Sequence, residues 1–166
     1  MFAADLLERT EALINHCRAR NLMLVTAESC TGGLVASLLT SIAGSSYVFE
    51  RGFVTYSNRA KEDCLGVDAR ILATFGAVSA ETAYAMAEGA LAHAQAQIAL
   101  SVTGIAGPGG GSPAKPVGLV YFGYGRRGAI ATVEHRFGDI GRAEVRLRSV
   151  AVALDLFCKA VEMQLS

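Results

Sequence analysis

Short apolar runs typical of β-strands alternate along the chain with segments of helical periodicity, and this alternation restricts the fold more than any other feature. The apolar runs cover residues 22–25, 47–56 and 98–102. Between them, apolar side chains recur every third or fourth position, which predicts helices over residues 4–20, 34–42, 59–65, 69–75 and 79–95. Strand–helix units in succession favour parallel strands with helices on the sheet faces. We therefore expect an α/β fold.

The last third of the chain predicts a β-hairpin followed by one long helix. Residues 117–124 and 129–137 form the two strands, joined by Gly125-Arg126-Arg127-Gly128, and apolar spacing through Leu165 indicates the closing helix. The hairpin adds antiparallel strands to parallel ones. The predicted architecture is a three-layer sandwich in which helices cover both faces of a mixed, mainly parallel sheet with a late β-hairpin. A chain of 166 residues fits one domain, over residues 1–166.

Composition excludes several classes of protein. Fifteen basic and fifteen acidic residues give no net charge, so no nucleic-acid partner is expected. Charged, glycine or hydroxyl residues interrupt every apolar run before it could span a bilayer, and the acidic N-terminal segment does not resemble a signal peptide, so we expect a cytoplasmic protein without a membrane partner. The four cysteines lie far apart with no Cys/His cluster, which argues against a disulfide scaffold or a zinc site.

Three loops carry the candidate chemistry, because ligands of open α/β sheets bind at the carboxyl ends of strands. Ser29 follows the first strand, at a turn that leads into a helix, and is a candidate nucleophile. No histidine is well placed to activate it, whereas Lys61 follows the second strand and burial would lower the pKa of its amine. Tyr56 could relay a proton at the same place. The three side chains together would suit acyl transfer.

Each of these residues also has a purely structural interpretation. Ser29 could cap a helix, Tyr56 could be a strand aromatic, and Lys61 could be an exposed helix residue. Glu28 is either a carboxylate in the pocket or an ordinary acid of the first helical turn. Cys30 is either a nucleophile or a small apolar side chain packed in the turn.

The glycine-rich segment 103–116 follows the third strand. It lacks the Gly-Lys-Ser/Thr ending of a phosphate-binding P-loop, but Thr103 and Gly104 could donate to a carbonyl, an oxyanion or a phosphate. The alternative is a mobile surface loop. A second glycine pattern, over residues 123–128, precedes a strand rather than a helix, so we interpret it as a turn and not as a dinucleotide-binding motif.

Two arginines stand near the start of the closing helix. Arg142 and Arg146 are four residues apart and share a helix face, so together with the helix N-terminus they could bind a phosphate. The alternative is a solvated surface in which they pair with Asp139 and Glu144.

Four long segments in collinear order carry a family resemblance. They resemble the C-terminal domain of the CinA family, and they read TAESCTGGLVASLLT (26–40), GFVTYSNRAKEDCLGV (52–67), GAVSAETAYAMAEGA (76–90) and SVTGIAGPGGGSPAKPVGLVY (101–121). The resemblance implies a nicotinamide-nucleotide amidase, which hydrolyses the carboxamide of nicotinamide mononucleotide to nicotinate mononucleotide and ammonia. It also implies a homodimer that recycles pyridine nucleotides without a metal or organic cofactor.

By the same resemblance, Ser29, Tyr56 and Lys61 are the expected catalytic residues. From the placement of the loops, and not from the resemblance, we expect backbone N–H groups near Ser29 or Thr103–Gly104 to hold the oxyanion. The chain reads Gly138-Asp139-Ile140-Gly141-Arg142 where the family often has Gly-Asp-Arg, which leaves open which arginine binds phosphate. The alternatives are a nucleotide-binding module without activity and an amidase for another small amide. The expected substrate-binding residues are Glu28, Cys30, Thr31, Gly32, Thr103, Gly104, Arg142 and Arg146.

Overall fold

A computed structural model describes residues 2–163, which form a five-stranded sheet with six α-helices. The elements in chain order are α1 (Ala4–Ala19), β1 (Leu24–Glu28), α2 (Leu34–Thr40), β2 (Phe49–Val54), α3 (Asn58–Leu65), α4 (Ala69–Phe75), α5 (Ala80–Ala92), β3 (Ile98–Gly104), β4 (Leu119–Arg126), β5 (Ala129–Arg136) and α6 (Arg142–Glu162).

The strand order is β2-β1-β3-β4-β5, and the sheet is mixed. Strands β2, β1 and β3 are parallel, whereas β4 runs antiparallel to both β3 and β5. Glu28, at the end of β1, lies opposite Val54 of β2 and Val102 of β3. The carboxyl ends of the three parallel strands therefore meet at one edge of the sheet, as the sequence predicts.

Two apolar cores lie on opposite faces of the sheet. Alternate residues of the central strands enter different cores: Leu24 packs with α1, α2 and α6, whereas Val25 packs with α3, α4 and α5. All five residues of β1 are buried, because helices cover both of its faces. The predicted α/β sandwich is confirmed. No helix among residues 2–163 has the length and apolar content needed to cross a membrane.

The structure corrects several predicted boundaries. The second strand spans six residues rather than the run 47–56, because Ser45–Tyr47 form a 3-10 turn. The hairpin turn is Arg127–Gly128, since Gly125 and Arg126 remain paired in the β4–β5 ladder. The closing helix is described to Glu162, and Leu165, which the apolar pattern assigns to it, lies outside the described residues.

Candidate active site

Backbone hydrogen bonds carry the sheet one residue beyond β1 and β2 and so fix the position of Ser29. The Ser29 N–H donates to the carbonyl of Val102 at 2.9 Å, and the Thr55 N–H donates to the carbonyl of Glu28 at 2.8 Å. Because strand residues alternate in direction, Thr55 is fully buried whereas Tyr56 is 61% exposed. Ser29 thus directly follows β1, the middle one of the three parallel strands, at the carboxyl edge of the sheet.

Lys61 projects from α3 into this edge and contacts Ser29. Helix α3 starts at a Ser57 cap, whose hydroxyl accepts the N–H of Ala60, so Lys61 falls in the first helical turn. Its Nζ lies 3.1 Å from Ser29 Oγ and donates to the carbonyl of Thr55 at 2.8 Å. The side chain is only 1% exposed, and burial lowers the pKa of its amine. Within residues 2–163 no carboxylate forms an ion pair with it.

A lysine in such surroundings can act as a base. In the ammonium form, Nζ donates to both oxygens. When the amine is neutral, it can keep its bond to Thr55 while its lone pair accepts the hydroxyl proton of Ser29. The arrangement can therefore activate a serine without histidine.

Tyr56 lies at the mouth of the site rather than beside the reacting pair. Its hydroxyl accepts a hydrogen bond from Arg142 Nη2 at 2.7 Å and, within residues 2–163, makes none to Ser29 or Lys61. Arg142 Nη1 donates in turn to the carbonyl of Gly107 at 3.0 Å. Arg142 therefore connects the end of β2 to the glycine-rich segment.

A cavity of about 180 Å³ joins these residues. Cavities of about 150 Å³ in proteins hold a benzene molecule, so the space suits a group with a single ring. Its lining is formed by Ser29, Cys30, Tyr56, Lys61, Ala77, Val78, Thr103, Gly104, Ala106 and Arg142. Seven of the predicted site residues thus lie around one cavity, whereas sequence reasoning missed the alanines and Val78, which carry no recognisable chemical signal.

Glu28 lies behind this cavity and supports the turn after β1. Its carboxylate is fully buried and accepts hydrogen bonds from the Thr31 hydroxyl at 2.6 Å and from the N–H groups of Gly33, Val35 and Ala36 at 2.8–3.1 Å. It thereby satisfies donors at the start of α2, where negative charge is favoured. Glu28 does not line the cavity, and it is the last residue of β1 rather than an acid within the first turn of α2.

Arg146 contacts the same turn from α6. Its Nε donates to the carbonyl of Cys30 at 3.1 Å, and its Nη2 donates to the carbonyl of Thr31 at 3.0 Å. The paired phosphate ligands suggested by the sequence are not brought together, since Arg142 lines the cavity and Arg146 holds the turn. Thr31 and Gly32 likewise belong to the turn rather than to the cavity lining.

The other lining residues are restricted in what they can do. The Thr103 hydroxyl donates to the carbonyl of Ala77 at 2.6 Å. Gly104 allows a close approach of strands, because a Cβ there would lie 2.7 Å from a methyl of Val120. Cys30 is 5% exposed, and burial raises the pKa of its thiol to about 12, so it remains protonated at neutral pH.

The fold and site define an α/β protein with a serine–lysine pair at the carboxyl edge of its sheet. Comparison with known proteins gives the family. The model of the CinA C-terminal domain matches residues 7–161, and the chain belongs to this family. The resemblance found in the sequence is confirmed.

Named relatives and a solved structure agree with this assignment. Nicotinamide-nucleotide amidohydrolase PncC of Enterobacter agglomerans is 50% identical over 82% of this chain and 84% of that protein. A putative competence-damage inducible protein of Caldicellulosiruptor bescii is 47% identical over 91% of this chain, which spans only 36% of that longer relative. The crystal structure of competence/damage inducible protein CihA from Agrobacterium tumefaciens superposes with a TM-score of 0.95 at 52% identity, over 98% of this chain and 99% of that one.

Proposed function

We propose that the protein is an amidohydrolase that converts nicotinamide mononucleotide and water to nicotinate mononucleotide and ammonia. The observation that carries the proposal is the 3.1 Å contact between Ser29 Oγ and the buried amine of Lys61. The name of the relative that is 50% identical supports the choice of substrate. The cavity of about 180 Å³ supports it as well, since a pyridine carboxamide is a single-ring group.

In the proposed mechanism, Lys61 acts first as base and then as acid. Its neutral amine accepts the Ser29 proton as Oγ bonds to the amide carbon, which yields a tetrahedral oxyanion. The C–N bond then breaks, and the Lys61 ammonium gives its proton to the departing ammonia. Water, deprotonated by Lys61, attacks the resulting ester and releases the carboxylate and Ser29. The lowered pKa of Lys61 increases the fraction of neutral amine that can act as the base.

We assign Tyr56 and Arg142 to the mouth of the site. A nicotinamide ring placed against Ser29 directs its ribose phosphate outward, past these two side chains. Arg142 is exposed and can offer its guanidinium to the phosphate, while Tyr56 contributes a hydroxyl that can relay a proton between substrate and solvent.

Ammonia release from nicotinamide mononucleotide tests the proposal. Ser29→Ala is expected to lower turnover by several orders of magnitude, since it removes the nucleophile. Ser41→Ala is the matched control, because Ser41 is an exposed serine at the end of α2 whose hydroxyl donates to a carbonyl of its own helix. A folded wild-type protein that binds the nucleotide without releasing ammonia would refute the proposal and favour a binding module.

The family resemblance further implies a homodimer, and we extend the proposal to that assembly. Sedimentation equilibrium of the purified chain gives the oligomeric state directly. A mass twice that of the chain is expected, and a monomer at every concentration would contradict it.

A further inference from the structure

Six of the eight backbone N–H groups of residues 29–36, from the end of β1 into α2, have an acceptor in another residue. The N–H groups of residue 29 and residues 32–36 donate to backbone carbonyls or to the Glu28 carboxylate. Those of Cys30 and Thr31 donate to no other residue among residues 2–163. Both residues are buried, at 5% and 0% exposure, and buried N–H groups without a partner are rare in proteins.

The position of these two N–H groups next to Ser29 points to a role in catalysis. They directly follow Ser29 at a strand-to-helix turn, and in hydrolases with such a turn the N–H after the nucleophile donates to the oxyanion. The N–H of Ser29 itself is occupied by Val102, and the Thr103 hydroxyl is occupied by Ala77. Cys30, whose N–H has no acceptor in another residue among residues 2–163, also lines the cavity.

Arg146 holds the turn that carries these peptide groups. Its guanidinium binds the carbonyls of Cys30 and Thr31 at 3.1 and 3.0 Å. The C=O and N–H of a trans peptide point in opposite directions, so a Thr31 carbonyl held toward Arg146 turns the Gly32 N–H away from it, and that N–H donates to the Ser29 carbonyl at 3.0 Å. The Ser29 carbonyl and the Cys30 N–H share one peptide, so this contact fixes the direction of the Cys30 N–H. The guanidinium also packs against the turn, since a Cβ at Gly32 would lie 3.4 Å from Nη2.

We propose that Arg146 is a positioning residue: by holding the turn that follows Ser29, it keeps the Cys30 N–H in place to stabilise the oxyanion formed when Ser29 attacks. The identity of the reaction rests on the proposed function. The role of Arg146 requires only that Ser29 is the nucleophile. Donors set in place before the reaction stabilise developing charge most strongly.

Arg146→Lys and Arg146→Met test this role in the full chain. Loss of one oxyanion donor lowers kcat by about 10²–10³, so we expect both variants to lose at least about tenfold in kcat with KM within about threefold of wild type. Lysine keeps the charge but cannot hold two carbonyls with one planar group. Arg148→Met is the control, because Arg148 is exposed on the same helix and pairs with Glu144, and it should stay within about twofold of wild type. A raised KM with unchanged kcat in the Arg146 variants would show a phosphate ligand and overturn the proposal.

A substrate-independent probe separates this inference from the proposed function. A fluorophosphonate reacts with Ser29 as the Oγ–P bond forms, the P–F bond breaks, fluoride leaves and the proton passes to Lys61. Its phosphoryl oxygen takes the place of the oxyanion, so mass spectrometry should show Ser29 labelled at least about tenfold more slowly in Arg146→Met than in Arg148→Met. Equal rates, or no labelling of the wild type, would overturn the proposal. Slower labelling with no deamidation by the wild type would refute the substrate and keep the role of Arg146.

Discussion

Replacing Lys61 with Met should abolish most activity and change how stability depends on pH. Methionine keeps an unbranched, apolar side chain one atom shorter than lysine and removes the amine that contacts Ser29 Oγ at 3.1 Å and the Thr55 carbonyl at 2.8 Å. General-base catalysis contributes about 10²–10⁴ to enzymatic rates, and kcat should fall by a factor in that range. The wild-type rate should rise with pH as the amine loses its proton, with an apparent pKa below the usual lysine range.

The stability effect follows from the lowered pKa. Because burial disfavours the ammonium, the folded protein releases the Lys61 proton at a lower pH than the unfolded chain does. Between the two pKa values the unfolded state binds more protons, so wild-type stability rises by up to about 1.4 kcal/mol per pH unit from this group. Below the pKa of Lys61 in the folded protein, the amine is protonated in both states and this contribution to stability is lost. The Met variant lacks it at every pH.

Urea unfolding of both proteins from neutral pH to about pH 10 measures this difference. The free energy of unfolding of Lys61→Met minus that of wild type should decrease as pH rises through the interval. Lys159→Met, which removes an exposed lysine from the last turn of α6, controls for loss of charge and should give a constant difference. If the difference in the free energy of unfolding between Lys61→Met and wild type is also constant with pH, the pKa of Lys61 in the folded protein is ordinary, and the reasoning is refuted.

Three further substitutions separate the roles of neighbouring residues. Glu28→Gln should lower the free energy of unfolding by about 2 kcal/mol or more in urea titrations, because an amide cannot accept all the hydrogen bonds that the carboxylate receives; an unchanged midpoint would contradict this. Arg142→Gln should raise KM for the nucleotide by about 10-fold to 150-fold and leave the riboside unaffected, as expected for one charged hydrogen bond worth about 1.5–3 kcal/mol; equal effects on both would remove the phosphate contact. Cys30→Ala should keep kcat within about threefold, since a thiol with a pKa of about 12 is not a nucleophile at neutral pH, and a loss of orders of magnitude would make it one.

The sequence predicts the sheet because its signal is local and strong. Runs such as residues 98–102 are apolar throughout, which is typical of a strand buried on both faces. The contact of Ser29 with Lys61 follows from topology, because the carboxyl ends of adjacent parallel strands meet at one edge. The helix cap at Ser57 then places the lysine within reach of that edge.

Contacts to the backbone could not be predicted in the same way. Arg146 binds two carbonyls and Lys61 binds a third, and every residue in a chain carries such a carbonyl, so composition does not mark the partner. The contact of Tyr56 could not be predicted from its position in the sequence either. It precedes Lys61 by only five residues, yet the alternation of an extended chain turns it outward to Arg142 while Thr55 turns inward.

Rapid-quench mass spectrometry of the wild-type protein turning over nicotinamide mononucleotide tests the central claim most directly. We predict a transient adduct on Ser29 with the mass of the substrate minus ammonia, and no adduct in Ser29→Ala. Wild-type turnover with the adduct on Cys30, or undiminished turnover by Ser29→Ala, would contradict the assignment of Ser29 and Lys61 as the reacting pair.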